Sequence, residues 1–262
     1  MNRIVNRLEA LKTKGEKAFI TYMTAGLPDL ERTADIIRAQ AEAGVDVIEL
    51  GVPFSDPVAD GPVIQDASYQ SILKGTNLVK TFDIVADVRK DCEVPIIFML
   101  YYNTIMYYGI EAFIDKCIET GVDGIIVPDL PYEEQFEIKA FLAKSGAPKL
   151  IPLVSPVSKD RLPKLLDGAE GFVYCVSSMG VTGQAADFHK NVREYLETVK
   201  AEAKIPVMMG FGIRTAADVA MLRDTIDGCI VGSHFIKLMQ ENNYGIEKIQ
   251  EYIRTFKKEL NA

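Results

Sequence analysis

The feature that most constrains the fold of this chain is a repeated alternation of short apolar runs with longer amphipathic segments. The runs have the length and β-branched content of buried strands, and they cover residues 19–23, 45–50, 95–100, 124–128, 150–154, 171–176, 206–209 and 228–231. The segments between them have helical spacing, and several end at a glycine that stops a helix. This alternation predicts parallel strands joined by helices.

Eight strand–helix units in 262 residues, without a linker or a change of composition, favour an α/β fold with one domain. We predict a single (β/α)8 TIM barrel over residues 1–262, with an extra N-terminal helix at 4–14 and a final one at 246–260. The other helices are predicted at residues 30–43, 63–74, 78–90, 110–120, 133–144, 192–203 and 216–223. A doubly wound open sheet is the alternative, although no GxGxxG follows the first strand.

Composition excludes several partners and compartments. The net charge of -8 leaves no basic surplus for a nucleic acid backbone, and no apolar stretch is long enough to cross a membrane. The four cysteines are scattered without a CxxC pair, which is typical of reduced, structural thiols. We therefore expect a cytoplasmic protein that binds neither nucleic acid nor membrane.

Two carboxylates stand at the end of the second predicted strand, in Glu49-Leu-Gly-Val-Pro-Phe-Ser-Asp-Pro-Val-Ala-Asp60-Gly-Pro. Glu49 lies in an apolar run, where a charge is costly unless it is paired or used. Asp60 follows in a loop shaped by proline and glycine, and α/β barrels present catalytic groups on such loops. Glu49 is the better candidate for proton transfer, because apolar neighbours raise its pKa. The alternatives are a buried pair or a capping acceptor for Glu49 and a turn for Asp60.

Glycines follow each of the last three predicted strands, in Gly180-Val-Thr-Gly183, Gly210-Phe-Gly212 and Gly232-Ser233. Glycine lets backbone N–H groups approach an anion, and a helix N-terminus adds a favourable dipole. One such glycine is usually only a turn, but three at the same end of a barrel predict a phosphate site. Hydroxyls of Thr182 and Ser233 would add donors.

The residues that are missing narrow the chemistry further. His189 and His234 are the only histidines and are not spaced as metal ligands, so no metal is expected. No lysine ends a predicted strand, so a Schiff-base aldolase would lack its nucleophile. Acid–base chemistry by carboxylates on a phosphorylated substrate remains.

Large side chains near the predicted strand ends are candidates for a substrate pocket. They are Tyr22, Met99, Tyr101, Tyr174 and Phe211. Such residues usually belong to a core, but at the C-terminal mouth of a barrel they would line a flat apolar pocket for an aromatic substrate.

These segments together resemble the α subunit of tryptophan synthase. Residues 49–62 are similar to its signature, and segments 177–183, 210–213 and 231–233 are similar to its phosphate-site segments in order and spacing. The resemblance covers essentially the whole chain. It implies retro-aldol cleavage of indole-3-glycerol phosphate to indole and glyceraldehyde 3-phosphate, in which the protonated indole ring is the electron sink.

The resemblance also implies a role for each candidate. Glu49 would protonate the indole at C3 and help to take the proton of the glycerol hydroxyl, and Asp60 would stabilise the positive charge at the indole nitrogen. The large side chains named above would bind the indole, with Tyr174 near Glu49. The phosphate would be bound by Gly183, Gly212, Gly232 and Ser233. Thr182 would lie on a loop that closes over the site.

The implied partner is a β subunit that carries pyridoxal phosphate, in an α2β2 assembly. No cofactor is expected in this chain. The implied contact surface consists of Ser55, Asp56, Pro57, Asn103, Asp129 and Pro131. On pattern alone, Asp56 could equally form an Asx turn, and Asp129 could be a catalytic residue, a turn residue or part of a contact surface.

Two positions depart from the family pattern. Tyr22 and Ser178 stand where some members have Phe and Arg, so we expect the polarity of the pocket and the contacts of the closing loop to differ from those of such members. Two other functions remain open: a different sugar-phosphate TIM-barrel enzyme, such as an isomerase, and a barrel that acts mainly as a partner activator. A standalone producer of indole is a variant of the lyase.

Overall fold

The computed structural model of the chain describes residues 2–176, 185–210 and 212–262, with only the backbone for residues 185–190. Its strands are β1 (Ala18–Thr24), β2 (Val47–Gly51), β3 (Ile96–Met99), β4 (Gly124–Ile126), β5 (Lys149–Leu150), β6 (Leu153–Val154), β7 (Val173–Val176), β8 (Val207–Gly210) and β9 (Gly228–Val231). Its α-helices are α1 (Arg3–Lys14), α2 (Leu30–Ala43), α3 (Pro62–Leu73), α4 (Leu78–Val88), α5 (Tyr102–Tyr108), α6 (Ile110–Thr120), α7 (Phe136–Leu142), α8 (Leu162–Leu165), α9 (Ala185–Glu202), α10 (Ser233–Glu241) and α11 (Ile246–Leu260). Short 3-10 helices cover Tyr132–Glu134, Pro156–Arg161 and Ala216–Leu222.

The strands form one parallel sheet that closes on itself. Its order is β5-β4-β3-β2-β1-β9-β8-β7-β6, so β5 and β6 are the two ends, and only Ile151 and Pro152 separate them. The Ile151 N–H donates to the Ile125 carbonyl (2.9 Å), and the Pro152 carbonyl accepts from the Tyr174 N–H (2.9 Å). β5 and β6 are therefore one barrel strand, interrupted because Pro152 has no N–H to donate. The predicted eight-stranded barrel is confirmed, although its fifth strand is not the unbroken run 150–154.

Three aspartates fix the strands at the N-terminal end of the barrel. Asp46, Asp123 and Asp227 directly precede β2, β4 and β9. Their carboxylates accept hydrogen bonds from the first or second N–H of the strand before them in the barrel, at Phe19 (2.6 Å), Ile96 (2.9 Å) and Val207 (2.7 Å). The ion pairs that complete these sites involve Arg7 and Lys257, Arg3 and Arg89, and Lys200. These charged groups stabilise the N-terminal end of the barrel, so the functional site is expected at its C-terminal end.

The inside of the barrel is closed at this same end by α1. Ile4, Leu8 and Leu11 of α1 are buried at spacings of four and three residues, which is the pattern of one helix face. They pack against apolar side chains of the strands, among them Ile97 and Met208. Burial of each such side chain stabilises the fold by roughly 1.5–3 kcal/mol. A second, larger apolar cluster lies between the strands and the surrounding helices.

Several helix predictions are confirmed. The helices predicted at 30–43, 110–120 and 246–260 coincide with α2, α6 and α11. α2 shows why the sequence is informative here: the Asp29 side chain accepts a hydrogen bond from the Arg32 N–H, and Gly44 ends the helix at φ 103°. In the described residues, no helix is long and apolar enough to cross a membrane.

Other helix predictions are wrong in extent or kind. The segment 133–144 contains a 3-10 turn and the shorter α7, and 216–223 is almost entirely a 3-10 helix. α9 begins at Ala185 rather than at residue 192. α5 was not predicted, since its seven residues are too few to show a periodic pattern.

Candidate active site

The interior of the barrel has an apolar layer and, above it, a layer of larger functional side chains. The apolar layer includes Ile20, Val47, Ile97 and Phe172. Because side chains alternate along a strand, the residue two positions further on faces the same side. Those residues are Tyr22, Glu49, Met99 and Tyr174. Four of the predicted site residues therefore point into the barrel from four strands.

Glu49 on β2 is a buried carboxyl group without a partner. It is 1% exposed, and within the described part of the chain neither of its oxygens has a hydrogen-bond partner. Burial, with a smaller contribution from the negative charge of Asp60, raises the pKa of Glu49 to about 8. A carboxyl group with this pKa carries a proton at neutral pH and can donate it.

Asp60 lies in the loop after β2, in a more polar environment. Its Oδ2 accepts a hydrogen bond from the Tyr101 hydroxyl (2.9 Å), and that hydroxyl accepts one from the Ala59 N–H (2.9 Å). Burial raises the pKa of Asp60, and the hydrogen bond from Tyr101 opposes this rise. Two carboxyl groups in such different surroundings can take different parts in one reaction.

Two tyrosines cross the mouth of the barrel above glycines, whose lack of a side chain leaves room for them. The sequence patterns do not predict this role of the glycines. A Cβ added at Gly51 would lie 2.1 Å from the Tyr22 hydroxyl, and one at Gly210 would lie 2.3 Å from the Tyr174 ring. Burial raises the pKa of both phenols, which stay protonated. The signal in the sequence is a glycine that ends a strand beside a strand carrying an inward tyrosine.

Two of the glycines predicted to bind phosphate, Gly212 and Gly232, follow the last two strands. Gly212 has φ 71°, and a Cβ there would meet no atom of the described residues within 4 Å. Gly232 precedes α10, which begins at the exposed Ser233, and in the part of the chain that the structure describes no side chain caps this helix start. A Cβ at Gly232 would lie 3.7 Å from that of Tyr22. Free N–H groups at a helix start favour an anion.

Some of the predicted residues cannot be located. Thr182, Gly183 and Phe211, together with Ser178, lie outside the described residues. Among the residues that are described, no group of His, Cys, Asp and Glu is arranged to hold a metal ion. A cavity of about 570 Å³ lies at the opposite end of the barrel, beside α1 and Met208, and contains no predicted site residue.

The residues predicted to contact a partner follow three neighbouring strands, β2, β3 and β4, and lie on two loops and on α5. They are Ser55, Asp56, Pro57, Asn103, Asp129 and Pro131, and all but the half-buried Pro57 are exposed. Exposed apolar side chains lie beside them in sequence: Val58 is 83% exposed and Tyr107 is 95% exposed.

Comparison with known proteins places the chain in a family. The family model described as tryptophan synthase alpha chain matches residues 8–262. The chain belongs to the tryptophan synthase alpha chain family. The tryptophan synthase alpha chain of Lachnospira eligens is 64% identical over 264 residues, which cover 100% of both chains. That of Alkaliphilus metalliredigens is 43% identical and covers 97% of this chain and 96% of the relative.

Solved structures of tryptophan synthase have the same fold. The subunit alpha from Legionella pneumophila has a TM-score of 0.90 at 32% identity, over 99% of this chain and 98% of that one. A Mycobacterium tuberculosis tryptophan synthase chain has a TM-score of 0.89 at 30% identity, over 100% and 99%. The family expected from the sequence and its barrel fold are thus confirmed.

Proposed function

We propose that this chain is a carbon–carbon lyase, the α subunit of a tryptophan synthase, which cleaves indole-3-glycerol phosphate to indole and glyceraldehyde 3-phosphate. Family membership supports this activity and its place in tryptophan biosynthesis. The observation that carries the chemistry is Glu49, a buried carboxyl group that has no hydrogen-bond partner among the described residues, together with the hydrogen-bonded Asp60.

In the proposed mechanism, Glu49 donates its proton to C3 of the indole ring, and the positive charge that develops at the ring nitrogen is stabilised by Asp60. A proton leaves the glycerol hydroxyl next to the ring, and the C–C bond breaks. Its electron pair returns to the ring, which becomes neutral indole, while the hydroxyl carbon becomes the aldehyde. One proton enters and one leaves, so Glu49 can act as acid and then help as base.

The proposed substrate pocket combines an apolar half and an anion-binding half. Tyr22, Met99, Tyr101, Tyr174 and Phe211 would hold the indole. Thr182, Gly183, Gly212, Gly232 and Ser233 would hold the phosphate. The support is the placement of Tyr22 between the two halves: its Cβ is near Gly232, and its hydroxyl is over Gly51. Tyr22 adds a polar atom where a Phe would leave the pocket apolar.

The proposed partner is a β subunit that carries pyridoxal phosphate, in a cytoplasmic α2β2 assembly, with no cofactor in this chain. The surface formed by residues 55–57, Asn103, Asp129 and Pro131 would contact it. The support is that these residues follow three adjacent strands and are largely exposed. Because they follow the C-terminal ends of these strands, at one side of the barrel mouth, indole released there would have a short path to the partner.

The decisive experiment measures free indole from indole-3-glycerol phosphate, with the chain alone and with a tryptophan synthase β subunit. The lyase predicts indole in both samples and more of it with the partner. Absence of indole in both, with turnover of a different sugar phosphate, would support the isomerase alternative. Absence of turnover together with a faster β reaction would support a partner activator.

A further inference from the structure

The Tyr101 hydroxyl holds together the loop that carries Asp60. It donates to Asp60 Oδ2 and accepts from the Ala59 N–H, both at 2.9 Å. Its ring stacks on Phe54 at the start of the same loop, with ring centroids 5.0 Å apart. Tyr101 is 4% exposed, so these bonds form away from bulk water. One side chain therefore fixes both ends of the loop and the direction of the Asp60 carboxylate.

The position of Tyr101 depends in turn on an aspartate at the surface. Tyr101 immediately precedes α5, whose first N–H, on Tyr102, donates to Asp129 Oδ1 at 2.9 Å. Asp129 is exposed and follows β4, so it joins the start of α5 to the neighbouring barrel strand. A carboxylate at a helix N-terminus is a favourable anchor, because it accepts an N–H that has no helical partner.

We propose that Asp129 is a positioning residue for Asp60, acting through the backbone of Tyr102 and the hydroxyl of Tyr101. Asp129 lies on the surface proposed for the partner. A partner that binds its carboxylate would therefore change the position of the Asp60 carboxyl group at the barrel mouth. The functional consequence rests on the proposed role of Asp60 in catalysis. The structural coupling between Asp129 and Asp60 does not rest on that role, and it can be measured separately.

Asp60 faces titratable groups from several elements: Glu49 on β2, Tyr22 on β1, Tyr174 on β7 and Tyr101 after β3. Of these groups, Tyr101 donates a hydrogen bond to it, and this bond favours the ionised carboxylate. Weakening the bond should therefore raise the pKa of Asp60. A change that merely loosened the surface around Asp129 would leave that pKa where it is.

The direct test is a carbon-13 NMR titration of aspartate carboxyl groups in the full chain, with Asp60→Asn used to assign the Asp60 signal. Tyr101→Phe removes the donor and should raise the pKa of Asp60 by about one pH unit. Asp129→Ala removes the acceptor for Tyr102 and should raise it by about 0.4 pH unit or more. Asp129→Asn keeps an acceptor oxygen without the charge. The pKa of Asp60 should therefore be lower in Asp129→Asn than in Asp129→Ala, by about 0.4 pH unit or more.

The proposal would be overturned if the pKa of Asp60 were the same in Asp129→Ala and Asp129→Asn while circular dichroism showed that both variants are folded. The matched assay is the pH dependence of kcat/KM for indole release by the chain alone. The acid limb should move to higher pH in Asp129→Ala than in Asp129→Asn. A defect confined to assays with the partner would also overturn it. If the wild type released no indole, the proposed function would fail, and the NMR titration would still decide the coupling.

Discussion

The unpaired carboxyl group of Glu49 should make the protein less stable as pH rises, and Glu49→Gln should remove this dependence. The folded chain raises the pKa of Glu49 from 4.5 to about 8. Between these values the unfolded chain has lost a proton that the folded chain retains, so raising the pH favours unfolding. At 1.36 kcal/mol per pH unit, the full effect is roughly 5 kcal/mol. Glutamine has a similar shape and no proton to lose.

The assay is urea unfolding followed by circular dichroism at several pH values from 4.5 to 9. The free energy of unfolding of Glu49→Gln, minus that of the wild type, should be near zero at pH 4.5, rise through neutral pH and level off above pH 8. All other ionisable groups are common to both proteins and cancel in this difference. Glu202→Gln, which changes an exposed carboxyl group at the end of α9, is the matched control.

A pH-independent difference between Glu49→Gln and the wild type would refute this reasoning. It would mean that Glu49 ionises in the folded chain as readily as in the unfolded one. The proton donor assigned to the reaction would then be absent at neutral pH, because an ordinary glutamate has lost its proton there.

Three substitutions test other parts of the account. Gly51→Ala should raise KM for indole-3-glycerol phosphate and destabilise the fold by about 1–3 kcal/mol, because its Cβ meets the Tyr22 hydroxyl at 2.1 Å; steady-state kinetics and urea unfolding check this. Asp123→Ala should cost about 3–5 kcal/mol in urea unfolding, since it leaves Arg89 unpaired, and a cost below 1 kcal/mol would contradict it. Gly212→Ala should lower the free energy of unfolding by about 1–2 kcal/mol, because alanine is strained at a φ of 71°. It should also weaken the binding of inorganic phosphate measured by calorimetry, and unchanged binding would show that the anion binds elsewhere.

The fold was predictable from the sequence because local signals and the global pattern agree. Glycine stops, apolar spacing and β-branched runs each give the same alternation of strands and helices. The failures have local causes. Pro152 interrupts a strand that its apolar composition made continuous, and the seven residues of α5 are too few to show a helical period. The three aspartate sites at the base of the barrel depend on side chains far apart in sequence.

The candidate site was predictable in its residue types and less so in its contacts. Glu49 and Asp60 are conspicuous because acids are costly beside an apolar strand. The hydrogen bond between Tyr101 and Asp60 joins residues 41 positions apart, so no sequence spacing reveals it. For the same reason Tyr101 was predicted only as a pocket wall, and the glycines beneath Tyr22 and Tyr174 were not recognised as the space for two rings.

The central claim is that Glu49 transfers the proton that releases indole. Its most direct test compares the rate of indole release by wild type and Glu49→Gln at pH 7, each with and without a β subunit. We expect Glu49→Gln to lose about 10²-fold or more in kcat, while the partner still accelerates what remains. A Glu49→Gln variant that released indole at the wild-type rate would contradict the mechanism.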